Sequence, residues 1–321
     1  MAVQQRFGEG HRVLVSGGAG FVPSHVVDVL LGRGCEVVAV DNFVTGSPAN
    51  VAHHADNPKF TLVKADVSEG LPADLGGRFD AVLHMASPAS PTDFALLPVE
   101  ILKVGSYGTF HLLDRALQDR ARFLMASTSE AYGDPLVHPQ PETYWGNVNP
   151  IGVRSVYDEA KRFSEAAVMA YRRFHGVDTA IVRIFNTYGP RMRPNDGRAI
   201  PTFISQALRG EPVTVHGSGA QTRSICFVDD LVRGILALLD SDESGPINCG
   251  TEHEMTMREL AERIVALSGS QSEIIFTERG SDDPERRRPD LTQARTKLGY
   301  EPSVGPDEGL LATIEYFRSH A

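Results

Sequence analysis

Short apolar runs alternate with segments of helical periodicity through the first 185 residues. Arg12–Ser16, Glu36–Asp41, Phe60–Lys64, Asp80–Met85, Arg122–Ser127 and Thr179–Ile184 have the length and near-continuous apolar character of strands buried on both faces. Between them, Ser24–Leu31, Val99–Gln118 and Ser155–Phe174 carry apolar residues at helical spacing. Such alternation predicts an α/β fold with a Rossmann-type, doubly wound parallel sheet and right-handed crossovers.

The texture changes after Phe185. Asn186–Gly197 is rich in Pro, Gly and Arg and reads as a long functional loop. A helix at Ala199–Arg209 and a strand at Pro212–His216 follow. Ser224–Val228 and a helix at Val228–Leu239 are expected to return to the main sheet. A helix at Thr256–Leu267, a basic loop at Ser281–Asp290 and helices at Leu291–Leu298 and Asp307–Ser319 close the chain. The expected division is a dinucleotide-binding domain over 1–185, to which 224–249 returns. A smaller, interleaved C-terminal substrate-binding region comprises 186–223 and 250–321.

Two clusters carry candidate chemistry. Gly17-Gly18-Ala19-Gly20 joins a predicted strand to a predicted helix, where glycines let the backbone approach a pyrophosphate at the positive helix end. Asp41 ends the second strand, 21 residues after Gly20, about where an acid meets an adenosine ribose. An acid there accepts from both ribose hydroxyls and repels a 2′-phosphate, so NAD is expected over NADP. The second cluster is Thr128, Ser129 and Glu130, past the fifth strand, with Tyr157 and Lys161 on the following helix. Four-residue spacing puts Tyr157 and Lys161 on one helix face. The ammonium is then expected to stabilise a phenolate that accepts a proton from an alcohol. Thr128 and Glu130 are two apart and share a face if the strand geometry continues.

Composition narrows the partners. The chain has 321 residues, 41% of them hydrophobic and 22% charged, as in an ordinary globular protein. A net charge of −10 argues against nucleic acid, so an anionic ligand needs a local basic cluster, and Arg286-Arg287-Arg288 is the obvious one. Cys35, Cys226 and Cys249 are scattered, which suits a reducing compartment. His53-His54 is the only histidine pair, with no ligand spacing around it, so no metal is expected. The first ten residues show no apolar signal core, and no stretch approaches a membrane span. A cytoplasmic protein is expected. The two long helices are expected to pack as a bundle against a second subunit, giving a homodimer, unless they are solvated outer faces.

The chain resembles an extended short-chain dehydrogenase/reductase, specifically the UDP-glucuronate decarboxylase (UDP-xylose synthase) family, from about Arg12 to Phe317. The resemblance rests on His84–Pro91, Ala126–Pro135, Tyr144–Gly152, Arg183–Met192, Gly217–Arg223 and Asp282–Asp290. It implies NAD-dependent oxidation of the sugar at C4, with Tyr157 taking the hydroxyl proton. The β-keto acid then loses CO2, and re-reduction at C4 gives UDP-xylose. On the family pattern Thr128 orients the C4 oxygen, and Glu130 assists decarboxylation or reprotonation at C5. Lys161 partners Tyr157, and Arg287 lies near the substrate carboxylate and diphosphate. The resemblance further places Gly17, Gly20, Phe21, Val22, Asp41, Asn42, Phe43, Thr45, Gly46, Asp66, Val67, Met85, Ser87, Tyr157, Lys161 and Thr187 around the cofactor. It places Ser87, Lys103, Asn186, Arg191, Arg223 and Arg287 against the UDP-sugar.

Three positions depart from the family pattern. Pro23 stands at the third glycine of the nucleotide loop and is expected to displace the helix slightly. Gly105 replaces an asparagine and, inside a helix, costs up to ~1 kcal/mol relative to alanine. His111 replaces an asparagine assigned to the nucleotide sugar. A UDP-glucuronate 4-epimerase, a decarboxylase that releases the 4-keto pentose, and a catalytically inactive nucleotide-sensing protein remain as alternatives.

Overall fold

The computed structural model describes residues 3–278 and 286–320. Seven parallel strands form the main sheet: β1 (Arg12–Ser16), β2 (Glu36–Asp41), β3 (Phe60–Lys64), β4 (Ala81–His84), β5 (Arg122–Thr128), β6 (Thr179–Ile184) and the strand Ile247–Cys249. From one edge the order is β3, β2, β1, β4, β5, β6, then Ile247–Cys249. The order reverses between β1 and β4, which opens a crevice at the carboxyl ends of the strands.

Helices α1 (Phe21–Gly32), α2 (Pro91–Leu96), α3 (Pro98–Lys103), α4 (Thr109–Asp119), α5 (Ser155–His175), α6 (Ala199–Arg209) and α7 (Val228–Asp240) follow in chain order. The alternation of strand side chains sends each strand into two cores. Val13 and Val15 join Val26, Leu30 and Ile235 from α1 and α7. Leu14, between them, joins Leu112, Leu113 and Val168 from α4 and α5. Among the described residues no helix is long and apolar enough to cross a membrane.

Several elements differ from their expected form. Ser224–Val228 adds no strand to the main sheet: Cys226–Phe227 pairs with Thr187–Tyr188, and Ile247–Cys249 takes the sheet edge instead. Thr222–Ser224 lies between Glu254–Thr256 and Arg286–Arg287 in a separate small sheet. Such pairing of two- and three-residue strands leaves no period to read. Of the basic loop expected at Ser281–Asp290, residues 281–285 lie outside the described residues. Pro23 does not prevent α1 from starting at Phe21, because the N–H it lacks sits in a first turn with no intrahelical acceptor.

The expected helix Val99–Gln118 is broken into α3, a π-helical turn at Val104–Gly108, and α4. Gly105 explains the break. A side chain there would place its Cβ 2.7 Å from the Cβ of Ala160 on α5. The Gly105 carbonyl accepts hydrogen bonds from Thr109 Oγ1 at 2.8 Å and Ser164 Oγ at 2.6 Å. The glycine therefore permits close approach of the helix that carries Tyr157, and the wider turn's carbonyl is satisfied from both helices. Gly105→Ala is expected to destabilise the protein by about 1–3 kcal/mol through overpacking. Adding Ala160→Gly in the same chain is expected to recover much of the loss. Urea denaturation of both variants checks this, and a neutral single substitution would show that the two helices separate freely.

Candidate active site

The crevice opens into a continuous cleft of about 1050 Å³. At one end stands the glycine loop. Gly17 has φ +69°, and a Cβ there would sit 2.7 Å from the Ala86 backbone, so only glycine fits this turn. Gly20, Phe21 and Val22 bring the start of α1 to the cleft wall. Asp41 is buried at the end of β2, and its carboxylate accepts from the N–H groups of Ala19 at 3.0 Å and Phe43 at 2.8 Å. Burial, the larger influence, raises its pKa against those two hydrogen bonds. Asn42, Thr45, Gly46, Asp66, Val67, Met85 and Ser87 line the same end. Asn42 Nδ2 donates to Asp66 at 2.9 Å. Phe43 does not line the cleft; its backbone serves Asp41 instead. A glycine cradle, a helix N-terminus and an anchored acid fit a dinucleotide.

Thr128, Tyr157 and Lys161 converge in the middle of the cleft, all of them buried. Their relation differs from the simple ammonium–phenolate pair. Lys161 Nζ donates to the Ala126 carbonyl at 2.8 Å and stands 5.8 Å from the centre of the Tyr157 ring. Burial pushes the Tyr157 phenol well above its ordinary range, opposed by a hydrogen bond to Thr128. Burial also lowers the Lys161 ammonium to about 8, with Glu165 opposing. Phe94 of α2 stacks on Tyr157, with ring centroids 5.0 Å apart. The strand geometry does not continue past Thr128. Ser129–Tyr132 forms a 3-10 turn capped by the Thr128 hydroxyl, which accepts from the Glu130 N–H at 3.2 Å. Thr128 and Glu130 still share the cleft.

Glu130 is held by two guanidinium groups. Arg287 donates through Nη1 to Oε1 and through Nη2 to Oε2, the latter at 3.0 Å. Arg154 Nη2 donates to Oε2 at 2.8 Å. Burial alone would raise the Glu130 pKa, but Arg287 and then Arg154 outweigh it and hold the carboxyl at about 2. Parallel pairing of Arg286–Arg287 with Thr222–Ser224 sets Arg287 opposite Arg223 and presents it to the site. Of the basic triplet, Arg287 lines the cleft and Arg286 and Arg288 do not. Arg154 was not expected. It lies three residues before Tyr157, about one helical turn, which is the signal that points to it.

Asn186, Thr187, Arg191 and Arg223 also line the cleft. Arg191 adopts φ +68° and pairs with Asp28 at 2.7 Å. Arg193 and Arg198, absent from the expected set, line it as well, paired with Asp93 at 2.6 Å and Asp196 at 2.5 Å. Lys103 lies outside the cleft and faces Glu69 at 3.9 Å. His111 also lies outside, hydrogen-bonded through Nδ1 to the Val67 carbonyl at 2.9 Å.

This fold and site define an extended short-chain dehydrogenase/reductase. A profile of the NAD dependent epimerase/dehydratase family matches residues 13–250, and the chain belongs to that family. It is 49% identical to UDP-glucuronic acid decarboxylase 5 of Arabidopsis thaliana over 308 residues, 96% of this chain and 89% of the relative. It is likewise 49% identical to UDP-glucuronic acid decarboxylase 1 of Xenopus tropicalis, across 96% of this chain and 72% of that protein. Among solved structures, the dTDP-glucose 4,6-dehydratase DesIV of Streptomyces venezuelae, with NAD bound, superposes with a TM-score of 0.87 at 29% identity, covering 96% of this chain and 97% of that one. NAD is the cofactor of this chain.

Asp158, next to Tyr157, gives the site a pH signature. Its side chain is buried, and Oδ1 has no hydrogen-bond partner among the described residues. Burial first, then the Glu130 charge, raises its pKa to about 7. A carboxyl whose pKa is higher folded than unfolded contributes stability that is complete at acid pH and lost as pH rises through about 7. Asp158→Asn is therefore expected to melt higher than wild type at pH 8, with the gain shrinking towards pH 4. Thermal melts across that range check it, and a pH-independent difference would contradict it.

Proposed function

We propose that this chain converts UDP-glucuronate to UDP-xylose and CO2 by oxidation at C4, decarboxylation and re-reduction at C4. The carrying observation is the Glu130 carboxylate gripped by Arg287 and Arg154 beside Thr128 and Tyr157 in one cleft. When bound, NAD supplies the hydride acceptor and donor, and its oxidised form adds positive charge to a site whose burial disfavours the phenolate. Thr128 orients the C4 hydroxyl and Tyr157 exchanges its proton. A ketone at C4 then takes up the electron pair of the C5–C6 bond as CO2 leaves, and the resulting enolate takes a proton from water at C5 before C4 is re-reduced. A guanidinium fully engaged on the substrate carboxylate would stabilise the ground state and oppose that loss. Glu130 competes for Arg287 and Arg154, so they recognise the carboxylate without fixing it. With its carboxyl at about 2, Glu130 acts as a charge and not as a proton donor while both arginines hold it.

The assignment of 1–185 to the cofactor, and of 186–223 with 250–321 to the nucleotide sugar, is supported by the cleft lining. Gly17, Asp41 and Tyr157 come from the first part, and Arg191, Arg223 and Arg287 from the second. A homodimer through α3, α4 and α5 is part of the same reading. Leu102, Tyr107, Phe110, Phe163 and Phe174 are exposed there, and Phe110 meets Phe163 edge to face at 5.6 Å. Scattered free cysteines support a cytoplasmic setting.

Incubation with UDP-glucuronate and NAD+, followed by proton NMR and CO2 release, tests the activity. UDP-xylose with stoichiometric CO2 is expected. UDP-galacturonate without CO2 would make the chain an epimerase, and an accumulating UDP-4-keto pentose would make it a releasing decarboxylase. Tyr157→Phe is expected to slow turnover about 10²–10⁴-fold with UDP binding unchanged. In light scattering, Leu102→Glu with Tyr107→Glu is expected to give a monomer from a dimeric wild type, and a monomeric wild type would refute the dimer.

A further inference from the structure

The sequence offers no third ligand near His53-His54, but the fold supplies one. Asp28, on α1, and the 3-10 turn Pro48–His54 meet beside the cofactor end of the cleft. Asp28 Oδ1 lies 2.9 Å from His53 Nε2 and 2.8 Å from His54 Nε2. The two imidazoles are 4.0 Å apart between centroids, and all three donor atoms lie within 4.8 Å of one another.

We propose that Asp28, His53 and His54 form a binding site for a divalent transition-metal ion of the zinc class, separate from the catalytic centre. An ion bonded at about 2.0–2.2 Å to two imidazoles and one carboxylate holds these atoms roughly 3.3 Å apart, so the hydrogen-bonded cluster opens by about half an ångström to admit it. The carboxylate is already oriented for a ligand role, since Arg191 holds Oδ2 at 2.7 Å and leaves Oδ1 to the imidazoles. His54 is mostly covered and packs against Phe60, with ring centroids 5.6 Å apart, whereas His53 is half exposed and leaves a side open for water. A three-ligand site with an open position results. Because Arg191 offsets the Asp28 charge, imidazole donors and not negative charge set the preference. Zn2+, Cu2+ or Ni2+ is favoured, and Mg2+ or Ca2+, which require oxygen ligands, is not. The bound ion fastens to α1 the Pro48–His54 turn, whose Ala49 and Asn50 line the cleft.

Calorimetry on the tag-free full chain tests this, with ZnCl2 and MgCl2 as titrants. One equivalent of Zn2+ and no Mg2+ heat are expected. Losing even an outer partner of a metal site weakens binding about 10–100-fold, so His53→Gln with His54→Gln is expected to weaken Zn2+ binding by at least about 100-fold. NAD binding by the variant reports its folding, and His53→Gln alone, at the half-exposed position, serves if the double variant misfolds. Wild type that takes up no Zn2+, or variants that bind it as wild type does, would overturn the proposal and leave the three side chains as a simple hydrogen-bonded cluster.

Discussion

The ion triad of Glu130, Arg287 and Arg154, with Arg287 buried and the other two partly covered, is the interaction on which the site depends. It joins the end of β5, the entry to α5 and the short strand Arg286–Arg287. The single carboxylate has its charge more than matched by the two guanidiniums, so the triad is net positive, and removing Glu130 leaves both cations without it at a cost of about 3–5 kcal/mol. The C-terminal part of the chain is thereby tied to the end of the catalytic strand. The same triad sets the chemical character of Glu130, whose carboxyl the two arginines hold well below the usual carboxylate range.

The rest of the cleft repeats this logic. Arg191, Arg193 and Arg198 each have a carboxylate partner in Asp28, Asp93 and Asp196. An acidic protein thus presents guanidiniums to an anionic ligand while none of these cations is left uncompensated. A diphosphate or carboxylate enters by sharing these partners, which favours bidentate arginine over lysine. Buried Tyr157 and Lys161 lie between the two anion-handling ends, where desolvation strengthens their coupling to any charge that enters.

Much of this was legible in the sequence because its periodicities are strong. The six strands of the expected sheet, the glycine loop, Asp41 and the Thr128–Glu130 and Tyr157–Lys161 pairs all follow from local pattern. What escaped depends on distant contacts. The break at Gly105 comes from Ala160 on another helix, and Arg154, the second partner of Glu130, comes from 24 positions away. Strands of two or three residues, such as Thr187–Tyr188 and Arg286–Arg287, carry no periodic signal. Position in a motif points to Phe43 and Lys103 as ligand contacts, but it does not say where their side chains lie. The local turn geometry directs Phe43's backbone to Asp41, and Lys103 faces Glu69 outside the cleft.

In the proposed reaction Glu130, as a negative charge, keeps its arginines from clamping the substrate carboxylate. Single-turnover measurement of CO2 release by Glu130→Ala, beside cofactor reduction at 340 nm and UDP-glucuronate binding by calorimetry, tests it most directly. Retained substrate binding with CO2 release slowed by about 10²-fold or more is expected, so that flux stalls before decarboxylation. Release of CO2 at the wild-type rate would contradict it.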